Sequence, residues 1–174
     1  MKKISFYVPL LVMLVLSAAP AFAEKYQDPD QRFSIEVPAG WGPRAPQHEG
    51  VAASFAEPVT GATLNIGLRE ADPDTKAEDL HWEDLFSPKF DSVDIKMDGF
   101  TRIGGERARY CLYTLRGDFK KQMEGKQAQM YLNYVLVHGG SLYSITFTAN
   151  ESGFPQVQPV FSRMVRTMEF PKAS

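Results

Sequence analysis

The sequence predicts an α+β fold in which helices flank a central antiparallel sheet. Two runs rich in aromatic and β-branched residues, 131–137 and 142–149, are separated by a Gly-Gly turn signal and indicate a long antiparallel hairpin. Apolar residues then recur at helical spacing, at Val157, Val160, Phe161, Met164, Val165 and Met168. Because such a helix must bury its apolar stripe, the preceding hairpin is the natural surface for it.

The first 23 residues have the pattern of a secretory signal peptide. Two lysines open the segment, residues 8–16 are mainly apolar, and Ala21-Phe22-Ala23 has the small-x-small form of a signal-peptidase site. The apolar run is too short to span a bilayer stably. We therefore expect an exported chain that begins at Glu24 and is located in the periplasm or outside the cell.

The remaining chain, residues 24–174, suits a single domain with a sizeable core. The whole sequence has a formal charge of −2, and removal of the two leader lysines makes the domain more acidic. A mildly acidic domain lacks the basic surface that binding to nucleic acid requires. We expect a monomer that binds no cofactor.

Cys111 is the only cysteine, so the chain has no internal disulfide and depends on packing for its stability. It lies in the run 110–115, where the alternation of side chains predicts a strand. Free cysteine is among the most buried residue types. We therefore interpret Cys111 as a small buried apolar residue.

The N-terminal part of the domain predicts a hairpin and two further strands. Asp28-Pro29-Asp30-Gln31 is a turn signal within residues 26–37, because proline fixes φ and aspartate side chains bind nearby amides. Alternation predicts strands at 52–56 and 64–68. Trp41 is expected to fold back over the core, and the alternative is an exposed tryptophan that binds a partner.

A helix is predicted from Asp74 or Thr75 to about Phe86, where Thr75 and Glu78 fit a capping box. Glu78 and His81 stand at i, i+3 on this helix and are the best metal candidates in the chain. Bundles that bind two metal ions need such a pair twice, and this chain has it once. We therefore interpret the acidic segment as a solvated helix face.

A long β region is predicted from 93 to 149, with turn signals at Asp98-Gly99 and Gly104-Gly105. Its long strands are expected at 107–116, 127–137 and 142–149. The last two have apolar side chains on both faces, and a sheet of that kind is usually covered on both sides. The two predicted helices are the available covers.

The sequence contains no recognisable motif for nucleophilic catalysis. Its three histidines, at positions 48, 81 and 138, lie outside the Gly-x-Ser-x-Gly and His-Glu-x-x-His patterns. His138 is expected at a hairpin tip, where a polar ring needs no special cause. We therefore expect a protein that is not an enzyme.

The segment 116–126 is the most distinctive surface feature of the sequence, because it concentrates basic charge on an acidic chain. Apolar side chains among the lysines suit a contact with a membrane protein or an anionic lipid surface. The alternative is a solvated hairpin whose phenylalanine folds onto the sheet. The predicted partner-binding residues are Arg116, Phe119, Lys120, Lys121, Met123 and Lys126.

Three segments, taken in order, resemble the Mog1/PsbP-like domains, including the exported bacterial PsbP-related proteins. They are 33–41 (FSIEVPAGW), 104–108 (GGERA) and 143–149 (YSITFTA), and a terminal helix with Met168-Glu169-Phe170 follows them. The resemblance covers nearly all of residues 24–170. It implies an α/β/α sandwich around a central antiparallel sheet.

The resemblance also implies a mostly non-enzymatic family whose members bind or stabilise protein partners. Photosynthetic members associate with the lumenal face of photosystem II, and some have been linked to calcium or manganese retention. No residue of this chain matches a metal-binding motif, so no metal ligand is carried over. A bacterial export signal replaces a chloroplast leader, so a thylakoid lumen location and association with photosystem II would follow only in a photosynthetic source.

We therefore predict an exported accessory protein that docks on or stabilises an envelope or membrane-protein complex. The alternative is a carrier of a small amphipathic ligand or a divalent cation, and an enzyme ranks third. A carrier requires an apolar cavity of at least about 300 Å³ between sheet and helix, whereas an accessory protein requires a filled core. The tyrosines expected to line the cavity of a carrier are Tyr110, Tyr131, Tyr134 and Tyr143.

Overall fold

The computed structural model describes residues 24–46, 48–87, 89–116 and 128–172. The strands of this part of the chain are β1 (Glu24–Gln27), β2 (Ser34–Val37), β3 (Gly42–Pro43), β4 (Val51–Ala56), β5 (Thr63–Glu70), β6 (Val93–Ile103), β7 (Glu106–Leu115), β8 (Gln129–His138) and β9 (Ser141–Asn150). The α-helices are α1 (Trp82–Phe86) and α2 (Phe154–Arg166), and short 3₁₀ turns cover Ala77–Asp79 and Phe90–Ser92. Among the helices so described, none has the length and apolar character needed to cross a membrane.

Seven of the described strands form one antiparallel sheet in the order β3-β4-β5-β9-β8-β7-β6, while β1 and β2 form a separate ribbon. The predicted hairpin is confirmed as β8 and β9, which pair from Gln129 opposite Asn150 to His138 opposite Ser141. Strand β5 pairs with β9 on one side and β7 pairs with β8 on the other. The hairpin therefore occupies the middle of the sheet.

The first face of the sheet is covered by α2 and by the β1–β2 ribbon. The predicted stripe is confirmed at its centre, since Phe161, Met164 and Val165 are buried. The helix begins earlier than the stripe, at Phe154, and ends before Met168, which is also buried. These residues join the inward-facing side chains of β2, β5, β8 and β9 in one apolar cluster.

Aromatic rings fill the layer between α2 and the sheet. The ring of Phe161 lies 4.4 Å from that of Phe147 and 5.9 Å from that of Trp41, measured between centroids. Trp41 therefore folds back over the core, as predicted. A pocket of about 360 Å³ opens beside Trp41, between the β1–β2 ribbon and β3–β4, and is lined by Tyr26, Val37 and Phe55 among others.

The β1–β2 ribbon is closed by the predicted turn at residues 28–31. The buried carboxylate of Asp28 accepts hydrogen bonds from Nε and Nη2 of Arg32, at 2.8 and 2.9 Å. This hydrogen bonding by Arg32 lowers the pKa of Asp28. The Tyr143 hydroxyl donates to the Arg32 carbonyl oxygen at 3.0 Å, which ties the turn to the central sheet.

The second face is covered at one end by the segment from the first 3₁₀ turn to α1. Leu80 and Trp82 are buried there against Cys111, Tyr113 and Val135. The prediction of a continuous helix from Asp74 or Thr75 is wrong, because the backbone is extended at Leu80 and His81. The first 3₁₀ turn is capped one residue later than predicted, by a hydrogen bond from the Lys76 amide to the Asp79 carboxylate at 3.0 Å.

The glycines of the β6–β7 hairpin have two different roles. Gly104 and Gly105 form the predicted turn with φ of 57° and 91°, and a Cβ on Gly104 would lie 2.6 Å from the ring of Phe170. The predicted turn at Asp98-Gly99 is wrong, because β6 runs straight through these residues. Gly99 instead makes room for Tyr110 on the paired strand, whose hydroxyl would lie 3.0 Å from an added Cβ.

Phe161→Ala should lower the free energy of unfolding by roughly 3–5 kcal/mol, because it would leave a cavity between α2 and the sheet. The matched control is Phe100→Ala, which removes the same ring from a site that is 44% exposed. The control should cost about 1 kcal/mol or less. Urea denaturation measures both variants, and equal losses of stability would contradict the packing of α2.

Candidate functional site

The predicted docking segment is described only at its first residue, Arg116. Its guanidinium donates to the carboxylate of Asp94 at 2.7 Å, and its amide donates to the Ser92 carbonyl oxygen, also at 2.7 Å. The side chain of Arg116 remains 60% exposed. The other predicted partner-binding residues lie outside the described residues and stay predictions: Phe119, Lys120, Lys121, Met123 and Lys126.

The metal candidate Glu78–His81 does not form the helical pair expected of it. Glu78 is the middle residue of the first 3₁₀ turn and forms an ion pair with Arg107 at 2.5 Å. His81 follows an extended residue and precedes α1. Within the described ranges, no group of three or more His, Cys, Asp or Glu side chains is placed to hold a metal ion.

The four tyrosines proposed for a ligand carrier do not line one cavity. Tyr134 and Tyr143 are buried on the first face, where the ring of Tyr110 packs against that of Tyr134. Tyr131 belongs to the second face and stacks on Tyr113 with ring centroids 5.0 Å apart. The carrier interpretation is therefore wrong in its proposed lining. Side chains alternate between the two faces along a strand, so Tyr131 and Tyr134, three positions apart on β8, point to opposite faces.

Cys111 and His138 are both held by contacts within the fold. Cys111 is fully buried, and this burial raises the pKa of its thiol to about 12, which keeps the sulfur protonated and unreactive. His138 is more constrained than a hairpin-tip residue need be. Its Nδ1 lies 3.0 Å from a Glu106 carboxylate oxygen, its Nε2 lies 2.9 Å from the Pro171 carbonyl oxygen, and its ring stacks on Phe170.

Arg109 joins the α1 segment to the outer strands of the sheet. Its guanidinium donates to the carbonyl oxygen of Leu80, where the helix is interrupted, and to the Asp98 carboxylate at 3.1 Å. It also lies over the ring of Trp82, 5.2 Å from the centroid. Arg109 thus supplies both a charged hydrogen bond and a cation–π contact to a segment that is too short to be a stable helix alone.

The outer part of the second face carries an exposed surface on β6 and β7, here called the edge patch: Phe100, Arg102 and Arg107. The Phe100 side chain is 44% exposed. The guanidinium of Arg107 lies 4.7 Å from the centroid of the Phe100 ring. The edge patch therefore combines an exposed aromatic ring with guanidinium groups, one of which pairs with Glu78, and aromatic and arginine side chains are the types enriched in protein interfaces.

The second face also contains a polar row that crosses four strands, formed by Ser54, Asn65, Thr146 and Asn133. The Ser54 hydroxyl donates to the Asn65 side-chain oxygen at 2.7 Å, and the Thr146 hydroxyl donates to the Asn133 side-chain oxygen at 3.2 Å. A groove of about 270 Å³ lies beside this row, between Leu85 of α1 and the turn before β4. The α1 segment therefore leaves part of this face open.

The sequence contained a signal for only some of these features. Asn133 is a single amide inside the apolar run 131–137, and a polar residue in a buried strand indicates a special environment. Arg109 and Phe100 carry no comparable signal, because their meaning depends on contacts with segments distant in the chain. Those contacts appear only once the strands are paired.

Known structures share this architecture over nearly the whole chain. The cyanobacterial PsbP (CyanoP) of Synechocystis sp. PCC 6803 superposes with a TM-score of 0.65 at 15% identity, over 89% of this chain and 96% of that one. The Ran-binding protein Mog1p of Saccharomyces cerevisiae gives a TM-score of 0.61 at 10% identity, over 86% and 96%. LpqN of Mycobacterium tuberculosis, which is involved in cell envelope biogenesis, gives 0.59 at 11% identity, over 86% and 91%.

The protein therefore has the Mog1/PsbP-like fold, and the resemblance detected in the sequence is confirmed at the level of the fold. No protein-family model matches the sequence, and no curated protein matches it significantly. At such low identities the likeness defines the architecture alone.

Arg109→Leu should lower the free energy of unfolding by roughly 1–3 kcal/mol, because the Asp98 carboxylate and the Leu80 carbonyl oxygen lose a charged donor. Arg116→Leu is the matched control and should cost about 0–1 kcal/mol, because it breaks an exposed ion pair. Urea denaturation compares the two variants. If Arg109→Leu were as stable as Arg116→Leu, Arg109 would not anchor the α1 segment.

Proposed function

We propose that this protein is an exported, non-enzymatic accessory protein that docks on or stabilises a protein complex of the cell envelope. The observation that carries the proposal is the edge patch on β6 and β7. Protein interfaces are anchored by a few aromatic and arginine side chains surrounded by polar ones, and the edge patch has this composition.

Strand β6 is an edge strand among the described residues, since β7 is its pairing partner there. A bulge between Ile95 and Met97 interrupts its register, and Lys96 and Asp98 place charges along it. Bulges and charges are the devices by which natural proteins prevent another strand from adding to an edge. We therefore expect the partner to contact the side chains of the edge patch without extending the sheet.

The predicted docking segment, residues 116–126, directly follows β7 in the chain. Its first residue, Arg116, is bound to Asp94 near the start of β6. Arg102 and Arg107 lie at the opposite end of β6 and β7, so the docking segment and the edge patch are two separate parts of the proposed interface. The lysines of the segment favour an acidic partner, because complementary charges accelerate association.

The proteins that share the fold support a role in binding. One is described as Ran-binding and another as involved in cell envelope biogenesis. These descriptions differ, which is consistent with one scaffold that presents different surfaces to different partners. The signal-peptide pattern of residues 1–23 is the reason for assigning the partner of this chain to the envelope.

The triple variant Lys120→Glu, Lys121→Glu and Lys126→Glu should capture much less partner from an envelope fraction than the wild type. Capture by the wild type should also weaken from low to moderate salt, because exposed charges act over about 8–10 Å at these ionic strengths. The fold should be nearly unaffected, since exposed charges contribute about 0–1 kcal/mol each. The measurement is quantitative recovery of the captured proteins at both salt concentrations.

The matched control is Arg44→Glu, Lys76→Glu and Lys172→Glu, which changes the net charge equally at other sites. It should recover the same proteins as the wild type. A second arm, Phe100→Ser, tests the edge patch alone and should also reduce recovery. Equal recovery by the wild type and both test variants would refute docking through this edge.

A further inference from the structure

The groove on the second face is the strongest candidate for a site beyond the edge patch. Its floor is formed by Asn133, Val135, Leu142 and Ser144, and Leu85 of α1 stands at one side. The floor strands β8 and β9 are the central strands of the sheet, so these side chains are held by pairing on both sides. A site on rigid central strands can hold a ligand in one orientation.

Asn133 has an unused hydrogen-bonding group in this groove. The residue is only 5% exposed, and its Oδ1 accepts from the hydroxyls of Ser144 and Thr146, both at 3.2 Å. Its amide nitrogen has no acceptor in the described part of the chain. Hydroxyl groups can donate or accept, so they can serve either end of the amide, and one end is left for the groove whichever way the amide points.

Two opposite charges stand at the rim. Glu49 and Arg69 both line the groove, and within the described ranges neither forms an ion pair. The hydrogen bond from the Leu68 amide to the Gly50 carbonyl oxygen, at 2.8 Å, brings their backbones side by side. A carboxylate and a guanidinium at the same rim are complementary to a ligand that carries both signs of charge.

The remaining lining is apolar and small in extent. Leu85, Val135 and Leu142 provide a surface for a short aliphatic group. The volume of about 270 Å³ lies below the range of about 300–1,000 Å³ typical of pockets for drug-sized ligands. The groove therefore suits a molecule with a few apolar carbons beside its polar groups.

We propose that this groove binds a small zwitterion with an aliphatic side chain, of the class of the free aliphatic amino acids. The ligand carboxylate would accept hydrogen bonds from Arg69 and from the Asn133 amide. The ligand ammonium would lie near Glu49, and the side chain would pack on Leu85, Val135 and Leu142. This site is separate from the edge patch, so each can fail without the other.

The test is an NMR titration of the isotope-labelled protein with leucine. We expect saturable shifts of the backbone amides of Gly50, Gly67 and Ser144, which surround the groove. Isocaproate lacks the ammonium group and isoamylamine lacks the carboxylate, and each should bind at least about tenfold more weakly than leucine. The comparison separates recognition of both charges from simple contact with an apolar surface.

The variants Arg69→Gln and Glu49→Gln alter exposed side chains and should fold normally, while each weakens leucine binding by at least about tenfold. Arg163→Gln, on the exposed side of α2, is the matched control and should bind as the wild type does. The proposal is overturned if leucine causes no saturable shift at the groove or if isocaproate binds equally well. It is also overturned if the Arg69 and Arg163 variants behave alike.

Discussion

The central strands β8 and β9 have apolar side chains on both faces, and the other layers of the protein are arranged to keep these side chains from water. Leu136 and Ile145 are fully buried on the first face, and Val135 and Leu142 are buried on the second. Burial of such side chains is the dominant favourable contribution to folding. A sheet of this kind requires two covers, and the chain supplies two of unequal size.

The larger cover packs through a long helix and a ribbon, whereas the smaller one combines a few buried apolar side chains with one cation, Arg109. On the first face, a 13-residue helix and the β1–β2 ribbon close over aromatic rings. On the second face, α1 has only five residues and is fixed by Arg109, Trp82 and the stacked ring of Phe86. The half of the second face beyond α1 is instead lined by Ser54, Asn65, Asn133 and Thr146. The groove lies at this border between apolar cover and polar row.

The sequence predicted the features that depend on neighbouring residues. The β8–β9 hairpin, the turn at 28–31 and α2 follow from local alternation, turn chemistry and helical period. The interruption of the α1 segment could not be predicted in this way. At the interruption the Leu80 carbonyl oxygen accepts a hydrogen bond from the Arg109 guanidinium, and the two residues are 29 positions apart in the sequence. Asp98-Gly99 has the composition of a turn, yet Gly99 serves to admit the ring of Tyr110.

The candidate sites also divide into one indicated by neighbouring residues and others formed by residues distant in the sequence. Local composition indicated the cationic segment 116–126, and it could not indicate the edge patch, whose residues come from two paired strands. The groove combines β5, β8, β9 and α1, so only the completed sheet brings Arg69 and Asn133 to one place. Asn133 alone could have been singled out, as a polar residue in an apolar strand.

The unequal covers can be tested most directly by hydrogen exchange under native conditions at increasing denaturant concentration. Amides of α2 and of the central strands should exchange only through global unfolding, because their layer is continuous with the core. Amides of α1 should exchange through a local opening at lower free energy and with a weaker dependence on denaturant. Equal protection of α1 and α2 would contradict the account, since it would mean that the small cover is as firmly packed as the large one.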